Sequence, residues 1–275
     1  RPRDWSSDVC SSDLIGKTKG NIMAKFRKAN AKIESLGQVE SLKPYLAGKR
    51  KVYSFDMLSG WSCPYAEQCL SKVSFENGHY SIQDGPKTQF RCFSASQEVA
   101  FPNVYRLRKS NFEAMRQYSR RWEFAEHLNN HMPKDLGICR IHVAGDFYTE
   151  EYFLGWLQVA TMNPSRLFYA YTKSLPYWLA NMSSIPANFV LTASYGGRRD
   201  DMIAAHGLRS STVVFSIEQA EQLGLEIDHD DSHAADPTKG SFALLIHGVQ
   251  PAGSEASKAI KQLRKNKVKF SYAKG

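Results

Sequence analysis

The feature that most limits the possible folds is a series of short apolar runs that recurs from residue 138 onward. Five runs have the length of single strands: "ICRIHVA" (138–144), "RLFYAYT" (166–172), "NFVLTAS" (188–194), "STVVFSI" (211–217) and "FALLIHG" (242–248). Their apolar residues are continuous more than alternating, which is typical of strands buried on both faces of a parallel sheet. An earlier run, "KVYSFDML" (51–58), predicts the first strand of that sheet.

Helical patterns separate the predicted strands. The segment "TEEYFLGWLQVATMN" begins with Thr149, a favourable N-cap, and has acids in its first turn. Upstream, residues 110–132 predict one helix that starts with a capping box formed by Ser110 and Glu113. Strands that alternate with helices through right-handed crossovers form either a partial (β/α) barrel or an open doubly wound sheet. We expect an α/β fold, a partial (β/α) barrel of about six parallel strands with helices outside and a cysteine-bearing loop after the first strand.

Composition is consistent with a globular protein, since 42% of the 275 residues are hydrophobic and 23% are charged. No apolar run approaches the roughly 18 residues of a membrane span, so we expect no membrane partner. The pattern predicts an N-terminal helical segment over 15–50, a single α/β domain over 51–255 and a basic C-terminal tail over 256–275. The sequence indicates no oligomeric state.

The first 14 residues, "RPRDWSSDVCSSDL", resemble the translated read-through of a sequencing adaptor and have no core periodicity. We expect this stretch to be disordered and leave it out of the fold argument. Without it, the cysteines are Cys63, Cys69, Cys92 and Cys139. Four cysteines in a chain of this size do not form a disulfide framework, and no secretory signal is legible, so we expect a reducing compartment and a cytoplasmic location.

Basic residues are concentrated after Glu255, where no acid follows. They are Lys258, Lys261, Arg264, Lys265, Lys267, Lys269 and Lys274. Such a tail can bind nucleic acid by neutralising phosphates, or it can be a solvated segment that only aids solubility.

Polar residues and glycines follow the predicted strands at their carboxyl ends. They are Ser59, Gly60 and Cys63, then Gly145 and Asp146, Lys173, Ser194 with Gly196 and Gly197, Ser216, and His247. Parallel strands deliver these positions to one end of the sheet, so we expect them to surround a common cavity. Taken singly, Asp146 can be a helix cap, Lys173 a solvated loop residue and the glycines turn residues.

Three of the cysteines lie among Gly, Pro, Ser and aromatic residues, in "SGWSCPYAEQCLSKV" and "RCFSASQEVAFPNVY". Structural zinc normally requires paired cysteines separated by two to four residues, and no such pair exists here. Cys139 lies inside a predicted strand and is expected to be core. Iron–sulfur clusters tolerate variable ligand spacing, so Cys63, Cys69 and Cys92 are candidate cluster ligands.

An acid-rich loop, "IDHDDSHAAD" (227–236), holds His229, Asp230, Asp231, His233 and Asp236. Imidazole and carboxylate groups at this density can bind a divalent metal. The spacing matches no defined zinc or calcium loop, and the alternative is that these side chains satisfy backbone groups or line the mouth of the cavity.

Three cysteines after the first strand of a partial barrel, with "VAGDF" after the second, resemble the layout of radical S-adenosylmethionine enzymes. The resemblance implies a [4Fe-4S] cluster bound by Cys63, Cys69 and Cys92. It further implies S-adenosylmethionine as a possible cosubstrate on the fourth iron, with Asp146 near its amino group. The cysteine spacing is wider than the tight spacing of that superfamily.

Residues 51–255 also resemble the phage family of gene product 88. The resemblance is carried by "SCPYAEQCLSKV", "RCFSASQEVAFPNV", "RIHVAGDFY", "FYAYTKSL", "VLTASYGGR", "IDHDDSHAADP" and "LLIHGVQPAGSEA". It implies a phage-encoded protein that acts in the cytoplasm of an infected host cell. We expect an iron–sulfur protein, and the sequence leaves open whether it is an enzyme. A nucleic-acid-binding module with a structural cluster or zinc, and a host-interaction protein, are the alternatives.

Overall fold

The structure, a computed structural model, describes residues 22–29 and 35–268. The stretch 1–14 lies outside the described residues, as do residues 15–21, 30–34 and 269–275 of the predicted terminal segments.

The strands, in chain order, are β1 Arg27–Lys28, β2 Lys51–Phe55, β3 Ser71–Glu76, β4 His79–Asp84, β5 Leu136–Ile141, β6 Leu167–Thr172, β7 Phe189–Ser194, β8 Ser210–Val214 and β9 Phe242–Leu245. The α-helices are α1 Lys43–Leu46, α2 Phe93–Ala100, α3 Pro102–Met115, α4 Arg121–His131, α5 Glu150–Met162, α6 Leu175–Ala180, α7 Asp201–Ala205, α8 Ile217–Gln222, α9 Ser232–Ala235 and α10 Glu255–Lys265.

The main sheet has the strand order β1-β2-β5-β6-β7-β8-β9. From β2 to β9 each neighbouring pair is parallel, and β1 is an antiparallel edge strand beside β2. The sheet curls into a half-barrel with helices around it. The expected α/β partial barrel, with its six parallel strands, is therefore confirmed.

The sheet is buried on both faces, as its continuous apolar runs predicted. Cys139 faces the crossover helices α4 and α5, in the same cluster as Trp156. Ile138 faces the opposite side, which we call the inner face, and shares a cluster with Tyr169. The inner face is covered by α9 and by residues 35–46, so the half-barrel encloses a packed core.

The helix predicted over residues 110–132 is two helices, α3 and α4. Ser110 lies within α3 and caps nothing there. The break falls at Arg120, where the carboxylate of Glu123 accepts hydrogen bonds from the backbone N–H groups of Ser119 at 3.0 Å and Arg120 at 2.9 Å. This local capping interaction starts α4 as a separate helix.

Two further elements differ from the expectation. The hairpin of β3 and β4 was not predicted; it forms a separate two-stranded sheet between Cys69 and Cys92. The expected basic tail begins with helix α10, which buries Ala256, Ile260 and Leu263 in a cluster with β8 and β9. As far as α10 extends, this segment is part of the folded domain.

Replacement of Cys139 by alanine tests the packing of β5 against the helices. Its side chain is fully buried among apolar groups, so Cys139→Ala should lower the free energy of unfolding by about 1 kcal/mol. Urea unfolding should show a lower midpoint at an unchanged slope. An unchanged midpoint would contradict the burial of this residue.

Candidate metal centre and cavity

A cavity of 170 Å³ lies at the carboxyl end of the half-barrel. The structure brings most of the predicted site residues to its wall: Cys63, Cys69, Cys92, Gly145, Asp146, Lys173, Ser194 and His247. Gly196 and Gly197 lie outside the lining. The strand ends and the cysteine loops therefore share one cavity, as expected for parallel strands that end at the same edge.

The cysteines belong to a segment that crosses over the strand ends, residues 59–92, which we call the roof segment. Its backbone pairs with the loop after β7: the N–H groups of Glu67 and Gln68 donate to the carbonyl of Gly196 at 3.2 and 2.9 Å. In return, the N–H of Arg198 donates to the carbonyl of Tyr65 at 2.8 Å. Gly196 and Gly197, expected at the common cavity, lie against Gln68 and Tyr65 of the roof segment.

Glycine is required where the roof segment meets the strand ends. Gly145, at φ +93°, faces Ser62, and a Cβ atom there would stand 2.5 Å from the Ser62 hydroxyl oxygen. Gly248, at φ +85°, faces Phe93, and a Cβ atom there would stand 2.9 Å from the Phe93 Cβ atom. Both distances are too short for a side chain, so these glycines permit close contact between the roof and the loops below it.

A second attachment holds the end of the roof segment near Cys92. The backbone N–H of Arg91 donates to the side-chain oxygen of Gln250 at 2.7 Å, and the Gln250 amide donates back to the Arg91 carbonyl at 3.0 Å. The ring of Phe93 also packs on His247, with ring centroids 4.6 Å apart. Cys92 is thus held beside the loop that follows β9.

A buried ion pair that the sequence analysis missed supports the start of the roof segment. The Glu98 carboxylate accepts hydrogen bonds from the Ser59 N–H at 3.1 Å, the Ser59 hydroxyl at 2.7 Å and the Arg108 guanidinium at 3.2 Å. Arg108 also donates to the carbonyl of Ser94 at 3.0 Å. The pair joins the loop after β2 to α2, which begins directly after Cys92. Charged residues in helices usually face solvent, so the sequence contained no signal for this contact.

The three roof cysteines lie within electrostatic reach of one another. Burial raises the pKa of Cys63 well above its usual value, and Asp146, Cys92 and Cys69 raise it further. Burial, followed by the nearby Cys69, raises the pKa of Cys92 to about 11. The N–H groups of Ala95 and Ser94 oppose this shift, although neither makes a full capping hydrogen bond. The thiols of Cys63 and Cys92 are therefore neutral unless a cation compensates their charge.

The three roof thiols do not form a site for a single metal ion. Within residues 22–29 and 35–268, no group of three or more His, Cys, Asp or Glu side chains is arranged to hold a metal ion. A single zinc ion needs every ligand atom at about 2.0–2.3 Å from one point. The three thiols line one cavity without converging on such a point.

Asp146 and Lys173 tie neighbouring strand ends together. The Asp146 carboxylate accepts from the N–H of Phe147 at 2.7 Å, the Thr172 hydroxyl at 2.6 Å and the N–H of Lys173 at 2.8 Å. Burial raises its pKa, and these hydrogen bonds oppose the shift. The Lys173 ammonium donates to the Ser194 hydroxyl at 2.6 Å, the Ser194 carbonyl at 3.2 Å and the Tyr195 carbonyl at 2.7 Å.

These contacts limit what the two residues can still bind. All three protons of the Lys173 ammonium are donated within the chain, so Lys173 has none left for a ligand. Asp146 retains acceptor capacity on Oδ2, which receives one hydrogen bond. Of this pair, only Asp146 can still contact a ligand without breaking an existing bond.

His142 is a further cavity residue that the sequence analysis did not select. It has a left-handed backbone at φ +65°, and its Nε2 atom lies 3.0 Å from the Tyr152 hydroxyl. Burial lowers the pKa of His142 to about 3, so the imidazole is neutral. Its place in "RIHVAGDF", four residues before Asp146, was the available signal.

The acidic side chains of the acid-rich loop mainly accept hydrogen bonds from nearby backbone N–H groups. Asp228 accepts from the N–H of Asp230 at 3.1 Å, Asp230 from the N–H of Ser232 at 3.1 Å, and Asp236 from the N–H of Thr238 at 2.9 Å. His229 is exposed. The metal site considered for this loop is not present among the described residues. Asp231 differs from its neighbours because it lines the cavity.

The fold and site together define an α/β half-barrel protein with a cysteine-bearing roof over the carboxyl end of its sheet. The family model of gene product 88 matches residues 23–267, and the chain belongs to this phage gene-product family. No curated protein and no solved structure matches the chain. Among the described residues, no helix is long and apolar enough to cross a membrane.

Breaking the buried ion pair should weaken the whole site. Glu98→Ala leaves Arg108 buried without its partner and removes both bonds to Ser59, so we expect a loss of about 3–5 kcal/mol in unfolding free energy. Glu113→Ala is the matched control, since Glu113 is exposed and lies 3.8 Å from Lys109. That control should cost no more than about 0.5 kcal/mol. Chemical unfolding measures both, and equal losses would contradict the assigned role.

Proposed function

We propose that the protein binds a [4Fe-4S] cluster through Cys63, Cys69 and Cys92. The observation that supports this is the placement of all three thiols around one cavity, although hairpin β3–β4 separates Cys92 from the other two in sequence. Three protein ligands leave one iron of a four-iron cluster facing the cavity.

The surroundings of the thiols favour the same assignment. Buried thiolates are stable only beside positive charge, which iron supplies. The amides of Ser94 and Ala95 favour the anionic form of Cys92, and amide groups of this kind stabilise cluster sulfurs.

Chemistry with S-adenosylmethionine is the finer part of the proposal. Such a cluster supplies an electron that cleaves the cosubstrate when one iron is open. Asp146 has acceptor capacity for an amino group, whereas Lys173 is already used within the chain. A cavity of 170 Å³ is smaller than the roughly 300–1,000 Å³ of most ligand sites. A bound cosubstrate therefore requires the roof segment to move outward.

Anaerobic purification with iron, sulfide and zinc analysis tests the cluster. We expect brown protein with a broad absorption near ~400 nm, as for thiolate-bound clusters. Cys63→Ser, Cys69→Ser and Cys92→Ser should each lose iron, because each removes one ligand. Cys139→Ala is the control and should keep it, since Cys139 packs in the core. Colourless wild-type protein with stoichiometric zinc would reject the proposal.

The enzymatic part has a separate readout. Reduced, cluster-loaded protein mixed with S-adenosylmethionine should release 5′-deoxyadenosine or methylthioadenosine, and Asp146→Asn should reduce the yield. An intact cluster without binding or cleavage would remove the enzymatic part and leave the iron–sulfur assignment in place.

Nucleic-acid binding is the second candidate function, and helix α10 is the observation that favours it. Its buried side carries Ala256, Ile260 and Leu263, and its other side exposes Lys258, Lys261, Arg264 and Lys265. Lys258 pairs with Glu255 at 2.7 Å, which leaves the remaining cations for phosphate contacts.

Substitution tests this surface better than deletion, because removing α10 would expose its apolar partners on β8 and β9. Replacing Lys261, Arg264 and Lys265 by Gln should lower the salt dependence of DNA binding by about 0.9 per lost phosphate contact. The control removes the same charge from α3 and its C-cap, at Arg106, Lys109 and Arg116. Equal effects of the two variants would exclude a specific role for α10.

A further inference from the structure

One part of the cavity wall has binding capacity that neither proposed function uses. Asp231 is 1% exposed and lines the cavity. Its Oδ2 atom accepts hydrogen bonds from the Arg140 guanidinium and from the Tyr169 hydroxyl, the latter at 3.0 Å. Asp231 makes no capping bond to α9, and its Oδ1 atom receives no hydrogen bond from the described part of the chain. Oδ1 is therefore an acceptor that a ligand can use.

The backbone at Asp231 is consistent with a functional position. It lies in the left-handed region at φ +65° and ψ +8°, which Asp adopts more readily than most residues but still at an energetic cost. That conformation directs a loop residue onto the inner face of the half-barrel, where Arg140 is 91 residues away in sequence. Backbone strain of this kind is concentrated at binding sites.

Charge limits the ligand to a neutral group. Arg140 compensates the charge of Asp231, and its guanidinium lies 5.1 Å from the ring centroid of Tyr171. A cation at Asp231 would be repelled by Arg140, and an anion would be repelled by the carboxylate itself. A neutral N–H donor avoids both costs and satisfies Oδ1.

Shape adds a second limit. Val213, Leu244, Ile246 and Phe93 contribute apolar side chains to the same cavity. Apolar walls beside the free Oδ1 acceptor of Asp231 suit a flat ring that carries an amino group on its edge. The cavity volume of 170 Å³ favours a group of small size.

We propose that this part of the cavity binds an amino-bearing nucleobase, with the exocyclic amine donating to Oδ1 of Asp231. Adenine, whose N6 amine is a donor, represents the class. The proposal goes beyond the cluster and does not require it. The base can belong to a free nucleoside or to an adenosyl cosubstrate, since both present the same edge.

Adenosine and inosine form a matched pair of probes, because inosine has an acceptor oxygen where adenosine has the amine. Calorimetric titration of the full chain as purified should show adenosine binding at least about tenfold more tightly than inosine, since the inosine oxygen faces an acceptor that stays unpaired. Equal affinities would overturn the proposal.

Asp231→Asn should reverse this preference. Arg140 and Tyr169 both donate toward the Oδ2 position, so the new amide oxygen is held there and its NH₂ group occupies the Oδ1 position. That group donates to the inosine oxygen and rejects the adenosine amine. A gain in inosine affinity also shows that the variant is folded. Unchanged discrimination in folded Asp231→Asn protein would overturn the assignment.

The control is Asp236→Asn, in the same loop. Asp236 accepts from Thr238 and from Ser41 at 2.9 Å and lies outside the cavity lining, so this variant should keep the preference for adenosine. If Asp231→Asn does not fold, wild-type protein still gives the answer with N6,N6-dimethyladenosine, which lacks the donor. Affinity equal to that of adenosine would then refute the proposal.

A competition experiment identifies the source of the base. If S-adenosylmethionine displaces adenosine, an adenosyl cosubstrate carries the base. If adenosine stays bound, the ligand is a free nucleoside. Either result supports the site. Because these titrations do not measure iron, their failure would leave the cluster proposal untouched.

Discussion

The backbone pairing between the roof segment and the loop after β7 is the constraint on which the candidate site depends. Glu67 and Gln68 donate to Gly196, and Arg198 donates back to Tyr65. These bonds hold the stretch of chain between Cys63 and Cys69 against the loop after β7. Cys63 and Cys69 therefore owe their positions to main-chain hydrogen bonds, which persist whatever the protonation state of the sulfur atoms.

The polar side chains at the strand ends below the roof segment are likewise held by hydrogen bonds within the chain. Buried polar groups need partners, and Asp146, Lys173 and Ser194 provide them for one another across three strand ends. Side chains that the sequence suggests as ligands are therefore engaged in hydrogen bonds that connect neighbouring strands. Binding capacity is left at the thiols, on Oδ2 of Asp146 and on Oδ1 of Asp231.

The electrostatics of the roof segment bears on the proposed cluster. Burial penalises thiolates, and the mutual approach of Cys63, Cys69 and Cys92 adds repulsion between them. The same closeness would become favourable if the proposed cluster supplied positive charge among the thiols. The Glu98–Arg108 pair supports this geometry from outside the cavity, because it joins the start of the roof segment to the helix that follows Cys92.

The sequence by itself determined the parallel strands, the burial of Cys139 and the edge of the sheet at which polar residues gather. Those properties arise from periodicity and composition within a few residues, and the sheet reproduces them. Tertiary structure alone decided the pairing of the roof segment, the Glu98 ion pair and the contact of Arg140 with Asp231. Each of these contacts depends on which polar groups meet when separate segments of the chain pack together. A buried polar group can pair with any suitable partner. The residues next to it in sequence therefore do not specify its partner.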